Sequence, residues 1–183
     1  MQNSFIKILL ILLTSIILVS ANDKDDTKFQ WVESGLGDSE FLKPKNWFVK
    51  ASYQKGHYAL FISKEEISKD QNFTTGFTLN FNSHISKKTG STPSEYAKQW
   101  IENVPKLKNK KVIVKPWEFT NNILKAFGIR VKDNEKIVHY ILVANDNTDS
   151  LFIMLFESPL KEWEEEWKIG NKIMNNLRLD AEI

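Results

Sequence analysis

The chain has 183 residues, with 25 Lys and Arg against 23 Asp and Glu, so its formal net charge is +2. Charged residues make up 26% and hydrophobic residues 42%, which is ordinary for a globular domain and excludes a disordered or collagen-like chain. Only two of the basic residues are arginines, the residue that recognises phosphates and bases through a forked donor set. We therefore expect no nucleic-acid binding.

The first 21 residues have the three-part layout of a secretory signal peptide. Lys7 precedes an apolar run over residues 8–19, small side chains follow at Ser20 and Ala21, and residues 22–26 are polar. The apolar run is shorter than the roughly 18 to 20 residues of a spanning helix, so cleavage is favoured over a retained anchor. We predict an exported protein, in the periplasm or the extracellular medium, without a stable membrane anchor after cleavage.

The segment before the first clear strand is predicted to be irregular. Residues 22–40 would form an N-terminal extension, with residues 29–41 wrapping over the domain, and the single domain would span residues 41–183. Residues 42–46 are predicted to form a turn at Pro44. Short strands follow in the ranges Trp47–Ala51 and Tyr58–Ser63, with one helical turn over residues 64–67.

The next two elements have clearer patterns. Residues 74–82 alternate between apolar and polar side chains, which predicts a strand buried on one face by Thr75, Phe77, Leu79 and Phe81. A helix should then begin at Thr92, because Thr92-Pro93-Ser94-Glu95 fits a capping box, and should end at Pro105. Its apolar residues recur at helical spacing: Tyr96, Ala97, Trp100, Ile101 and Val104.

Four further strands are predicted in sequence, joined by short turns that favour antiparallel neighbours: Lys111–Phe119, Leu124–Lys132, Lys136–Asn145 and Ser150–Glu157. The last two strands are apolar on both faces and should be central. A final helix is expected to have Ser158 as N-cap and Pro159 in its first position. Its apolar stripe contains Leu160, Trp163, Trp167, Gly170, Ile173, Met174 and Leu177.

Central strands that are apolar on both faces need a layer on each side. We therefore predict an α+β fold, an α/β/α sandwich with a central antiparallel sheet of about six to seven strands and helices on both faces.

A family resemblance adds to this interpretation. Residues 41–47 read FLKPKNW, which resembles the F-x-x-P-x-x-W opening of PsbP-like domains. Residues 58–65 and 73–80 resemble uncharacterised bacterial and archaeal relatives, and the resemblance continues to the last helix. It implies an α/β/α sandwich and work by binding, because the best-known members are extrinsic lumenal subunits of photosystem II and another branch binds the small GTPase Ran. No photosystem-docking or Ran-binding motif can be carried over to this chain.

Metal and nucleophile chemistry have weak support in the sequence. His57, His84 and His139 lie in three different elements and cysteine is absent, so we predict no metal site, with His139 a satisfied core or helix-facing residue. Ser52 and Ser158 each begin an S-x-x-K pattern and residues 88–90 read KTG, as in penicillin-recognising hydrolases. Their order and context do not fit that class.

Charged and aromatic clusters have structural explanations. Glu162, Glu164, Glu165 and Glu166 are predicted to form a solvated face at the start of the last helix, stabilised by its dipole. The lysine run could meet anionic lipids, cell-wall polymers or an acidic protein, but protection of a strand edge is favoured: Lys106, Lys108, Lys110, Lys111 and Lys115. Four tryptophans are predicted in the core, with Trp31 and Trp117 left open: Trp47, Trp100, Trp163 and Trp167.

The sequence thus predicts no catalytic, cofactor-binding or metal-ligating residue and no cofactor. We expect an exported, non-catalytic binding or accessory protein with a protein partner in the cell envelope. Two alternatives stay open: a periplasmic carrier of a small apolar ligand held by the aromatics, and an enzyme without a recognisable motif.

Overall fold

The structure is a computed structural model that describes residues 28–54, 57–67, 72–121, 123–180 and 182. The predicted signal peptide lies outside the described residues. Within the described ranges, no helix is long and apolar enough to cross a membrane. The described elements in chain order are β1 Phe29–Glu33, β2 Glu40–Pro44, β3 Phe48–Gln54, β4 His57–Ser63, β5 Gly76–Ser83, α1 Ile85–Thr89, α2 Pro93–Asn103, β6 Lys110–Thr120, β7 Lys125–Asp133, β8 Lys136–Asn145, β9 Ser150–Pro159 and α3 Trp163–Asn175.

Seven strands form one antiparallel sheet in the order β3-β4-β5-β9-β8-β7-β6, and β1 and β2 form a separate hairpin. The strands β6 to β9 are consecutive neighbours, which confirms the predicted meander. The two strands predicted to be central, β8 and β9, lie in the interior of the sheet because both of their faces are apolar.

The sheet has a hydrophobic layer on each face. On one face, α3 and the β1–β2 hairpin cover a core that includes Phe41, Phe77 and Phe156. On the other face, α1 and α2 cover a core that includes Ile101, Ile129 and Leu142. The α+β sandwich with an antiparallel sheet is therefore confirmed.

The segment predicted to wrap irregularly over the domain contains regular structure. Phe29 pairs with Pro44 and Glu33 with Glu40, so β1 and β2 form a hairpin whose sequence alternates too weakly to be recognised. The predicted turn over residues 42–46 is shorter than expected, because β2 continues to Pro44.

The hairpin is clamped by the chain that follows α3. The backbone N–H of Glu40 donates to the carbonyl of Arg178 at 2.9 Å, and the N–H of Arg178 donates back at 3.0 Å. The Arg178 guanidinium forms an ion pair with Glu40 at 2.6 Å and stacks on Trp31, with 3.7 Å from Cζ to the ring centre. The hairpin near the start of the described chain is thus bonded to the segment that follows α3.

The buried side chain of Lys43 stabilises the turn between β2 and β3. This side chain is only 5% exposed, and its ammonium donates to the carbonyls of Pro44 at 2.9 Å, Lys45 at 3.2 Å and Trp47 at 2.6 Å. Burial lowers the pKa of this ammonium. One buried cation therefore closes the turn between β2 and β3 and positions Trp47.

We expect the substitution Lys43→Met to lower the free energy of unfolding by about 2–3 kcal/mol, because buried carbonyls lose a charged donor. Lys45→Met is the matched control, since Lys45 is exposed two residues away, and it should change stability by less than about 0.5 kcal/mol. Urea denaturation of both variants measures the difference. Equal stability of the two variants would contradict a structural role for the Lys43 ammonium.

The β8–β9 turn holds the starts of α1 and α2. Asp146 accepts from the backbone N–H of Ser94 at 2.9 Å and from Lys125 at 2.9 Å. Burial alone would raise the pKa of Asp146, but these donors, Lys125 and Ser94, bring it below its ordinary value. The predicted capping box is confirmed, with both the Thr92 and Glu95 side chains bonded.

Several predicted boundaries were wrong. The last helix begins at Trp163 with Glu162 as N-cap, because the ladder of β9 with β8 continues as far as Pro159 and leaves Ser158 buried in a strand. Residues 64–67 are not helical, and a 3-10 turn extends past Pro105 to Lys106. The short helix α1 was not predicted.

Candidate functional site

One row of side chains crosses the sheet on the face that α3 covers. In register from edge to edge, the row contains Val49, Ile62, Phe77, Phe156, His139, Arg130 and Val114. The row is apolar from β3 to β9 and becomes polar on β8 and β7. The sheet therefore carries a buried imidazole and a guanidinium next to the exposed edge strand β6.

Arg130 lies against two indole rings supplied by α3. Its Cζ is 4.1 Å from the ring centre of Trp167 and 5.1 Å from that of Trp163, and the two rings stack with their centres 5.1 Å apart. Burial lowers the pKa of Arg130, while the Glu164 carboxylate opposes this shift. The Nε atom is buried and has no hydrogen-bond partner among the described residues. Cation–π contact is thus the main interaction of this guanidinium.

His139 is a buried residue that faces α3, as predicted, but its ring nitrogens are not satisfied. Its side chain is 3% exposed, and neither ring nitrogen has a hydrogen-bond partner in the described part of the chain. The ring meets Trp167 edge to face at 4.8 Å. Burial, together with the charge of Arg130, lowers the pKa of His139 to about 3, so the imidazole is neutral at ordinary pH.

Two glycines allow the aromatic side chains to approach the backbone. A Cβ on Gly170 in α3 would lie 2.6 Å from the Phe156 ring, and a Cβ on Gly128 in β7 would lie 2.2 Å from the Trp117 ring. Phe156 also stacks on Trp47, with ring centres 6.5 Å apart. The predicted core positions of Trp47 and Trp163 are confirmed, while Trp100 and Trp167 are half-buried.

The predicted solvated glutamate face is only partly correct. Glu162, Glu164 and Glu165 are exposed, but Glu166 is buried and forms an ion pair with Lys64 at 2.5 Å. The second carboxylate oxygen of Glu166 has no partner among the described residues. The hydrogen bond between Lys64 and Glu166 raises the pKa of the Lys64 ammonium. Glu166 lies three residues after Trp163 and four before Gly170, on the buried face of α3, and the prediction missed it because its charge was taken to mean exposure.

The edge strand β6 carries an exposed apolar and basic surface. Ile113 is 47% exposed, Val114 37% and Phe119 42%. Register shifts at Val112/Val114 and at Val114/Trp117 leave Ile113 without a partner on β7. We call the exposed lysines and large apolar side chains of this strand and of the loop before it the β6 surface; they are Lys106, Leu107, Lys108, Lys111, Ile113, Val114, Lys115 and Phe119.

A small groove lies between α2 and β6. Its volume is about 150 Å³, and the Lys98–Glu118 ion pair, at 3.4 Å, belongs to its lining. Drug-sized ligands occupy roughly 300–1,000 Å³. This groove is therefore too small for a drug-sized ligand.

The short motifs do not assemble into a catalytic group. Ser52 lies in β3 and Ser158 in β9, and Lys88-Thr89-Gly90 ends α1 with Gly90 in the left-handed region. His57 contacts the side-chain amides of Asn80 and Asn82 on the strand surface. In the part of the chain that the structure describes, no group of three or more His, Cys, Asp or Glu could hold a metal ion.

Sequence reasoning did not single out Arg130. The short turn between β7 and β8 could have indicated it. This turn pairs Asp133 with Lys136, and the register that it sets pairs Arg130 with His139. The rarity of arginine was a second signal, because both arginines of the chain stack on tryptophans.

The fold is that of PsbP-like proteins. The chain aligns with the solution structure of cyanobacterial PsbP (CyanoP) from Synechocystis sp. PCC 6803 at a TM-score of 0.52 and 13% identity, covering 89% of this chain and 99% of that one. The resemblance noted from residues 41–47 is thereby confirmed at the level of fold.

Two other solved structures are similar at lower scores. The Ran-binding protein Mog1p from Saccharomyces cerevisiae aligns at a TM-score of 0.48 and 10% identity, covering 81% of this chain and 94% of that one. The protein of unknown function PA94 from Pseudomonas aeruginosa aligns at 0.46 and 11% identity, covering 83% and 97%. No protein-family model and no curated protein sequence matches the chain.

Proposed function

We propose that this is an exported, non-catalytic binding protein that acts as an accessory or assembly factor for a protein complex outside the cytoplasmic membrane. The secretory layout of residues 1–21 supports export, and the PsbP-like fold supports work by binding rather than catalysis. The observation that carries the proposal is the β6 surface.

The β6 surface combines two properties that partner-binding surfaces share. Ile113 and Val114 are consecutive exposed apolar residues, and Phe119 is a third on the same strand. Exposed apolar side chains grouped in this way mark interaction sites, whereas scattered ones need no explanation. The other edge strand, β3, also exposes apolar side chains, namely Phe48, Val49 and Tyr53, so the lysines are the second property and the one that distinguishes the β6 surface.

The chain offers a matched pair of variants to test the proposal. Val114 on β6 and Val49 on β3 are the same residue type, end the same cross-sheet row and are 37% and 39% exposed. We expect a glutamate to be tolerated at either position, because each side chain is more than one-third exposed and its end can reach solvent. Val114→Glu places a negative charge in the β6 surface, and Val49→Glu places it on the opposite edge.

The experiment measures the native mass of each protein after purification from the envelope of its own host without denaturant. We expect the wild-type protein and Val49→Glu to run as a species heavier than the monomer, and Val114→Glu to run as the monomer. Circular dichroism checks that both variants fold. A wild-type monomer, or a heavy species that survives Val114→Glu, would overturn the proposal that β6 binds the partner.

A further inference from the structure

We propose that the partner contributes an acidic extended segment that adds to the sheet as a strand beside β6. This inference rests on the proposed function and names the chemistry and geometry of its binding event. Strand addition uses the backbone of an unpaired sheet edge for affinity and side-chain contacts for specificity.

The backbone of β6 is available for such pairing. Among the described residues, β6 has a hydrogen-bonded neighbour on one side only, β7, so its outward N–H and C=O groups have no strand partner there. Pro116 lacks an N–H, so the donors for pairing lie before it, over residues 110–115, in a half of the strand that also contains the register shifts after Val112 and Val114. That half also contains Ile113 and Val114, the exposed apolar pair.

Charge complementarity selects an acidic occupant. Residues 106–120 contain five lysines and a single acidic residue, Glu118. Glu118 is paired with Lys98 at 3.4 Å, and Lys110 is paired with Asp133, so the other lysines of the segment supply net positive charge at the edge. An acidic strand would place carboxylates beside these ammonium groups, and opposite charges across strands are stabilising.

The same charge argues against a second copy of this chain as the occupant. Two β6 strands placed edge to edge would bring two lysine sets together, and like charges across a strand pair are destabilising. The other edge, β3, differs because Lys50 is the only charged residue within it. The lysines of β6 therefore favour one class of partner while blocking self-association.

The probe is a capped eight-residue peptide of alternating Glu and Val, compared with a Lys and Val peptide of the same length. Amide hydrogen exchange followed by NMR reports backbone pairing. We expect the acidic peptide to slow exchange of amides in residues 110–115 at least tenfold and to leave β3 unchanged. Its affinity should fall at least threefold between 0.05 and 0.5 M salt, because exposed charges are screened.

Two controls separate strand addition from simple charge attraction. N-methylation of alternate peptide amides removes the pairing hydrogens and keeps every charge, so binding should be lost. Val114→Glu should weaken binding at least tenfold, whereas Val49→Glu should leave it unchanged.

Several results would overturn strand addition: equal binding of the N-methylated or the basic peptide, no protection in β6, or a β6-dependent dimer of the protein alone. If Val114→Glu nevertheless dissociates the native envelope complex, the proposed function stands and only the strand mode fails. If the acidic peptide binds but the native protein is a monomer, the proposed function fails and the edge chemistry stands.

Discussion

Gly170→Ala is expected to destabilise the protein by about 2–3 kcal/mol, although alanine is the better helix former by about 1 kcal/mol. The new methyl group would lie 2.6 Å from the Phe156 ring. Phe156 has no room to move, because it is fully buried and packed by Trp47, Trp163 and Trp167. Overpacking therefore outweighs helix propensity.

Thermal or urea unfolding measures this effect, with Asn171→Ala as the control for helix propensity alone. Asn171 is the next residue in α3, and its substitution should stabilise the protein by up to about 0.7 kcal/mol through helix propensity. In the Gly170→Ala background, Phe156→Leu should cost less than it does in the wild type, because it removes the clash. A Gly170→Ala protein as stable as the wild type would contradict this packing.

His139 is expected to make stability depend strongly on pH. The ordinary histidine pKa is 6.5 and burial lowers that of folded His139 to about 3. Below pH 6.5 the unfolded chain takes up a proton that the folded protein excludes, so stability falls as pH falls from 6.5 towards 3. The expected slope is about 1.4 kcal/mol per pH unit between pH 6 and 4.

His139→Phe should remove this slope while keeping a ring against Trp167. Its stability should therefore exceed that of the wild type increasingly as pH falls. Tyr140→Phe is the control in the same strand, because burial raises the pKa of Tyr140 to about 12 and its titration lies outside the window. Urea unfolding at half-unit pH steps supplies the curves. Parallel curves for the wild type and His139→Phe would show that the proton is not excluded.

Much of the fold is determined by local patterns that the sequence displays. Alternation over β5 and the capping box at Thr92 predicted a strand and a helix start, since each pattern is contained in a few consecutive residues. The apolar runs of β8 and β9 predicted central strands because burial on both faces leaves no polar positions. These signals require no knowledge of distant contacts.

The elements that were missed depend on tertiary pairing. β1 is stable through β2 and through residues near Arg178, far away in the sequence. The start of α3 was misplaced because Ser158 and Pro159 satisfy a helix-start pattern locally, but pairing with β8 keeps them in the sheet. A local preference for helix is overridden where pairing with a distant strand supplies the backbone hydrogen bonds instead.

The candidate site was hidden for a related reason. Arg130 and His139 look ordinary in a strand pattern, and only the hairpin register and the packing of α3 on the sheet bring them under Trp167. The lysine run was visible, but the exposure of Ile113 and Val114 beside it follows from the edge position and the bulge in β6. Side-chain exposure at an edge is a property of sheet order, which composition does not encode.

The clamp between Glu40 and Arg178 has a consequence for the order in which the domain can be completed. The first hairpin receives its last backbone bonds only when residues 138 positions later are present. While the chain is being synthesised, β1 and β2 therefore lack these bonds until every strand of the large sheet has been made. The hairpin is made first and is the last element to be fastened to the domain.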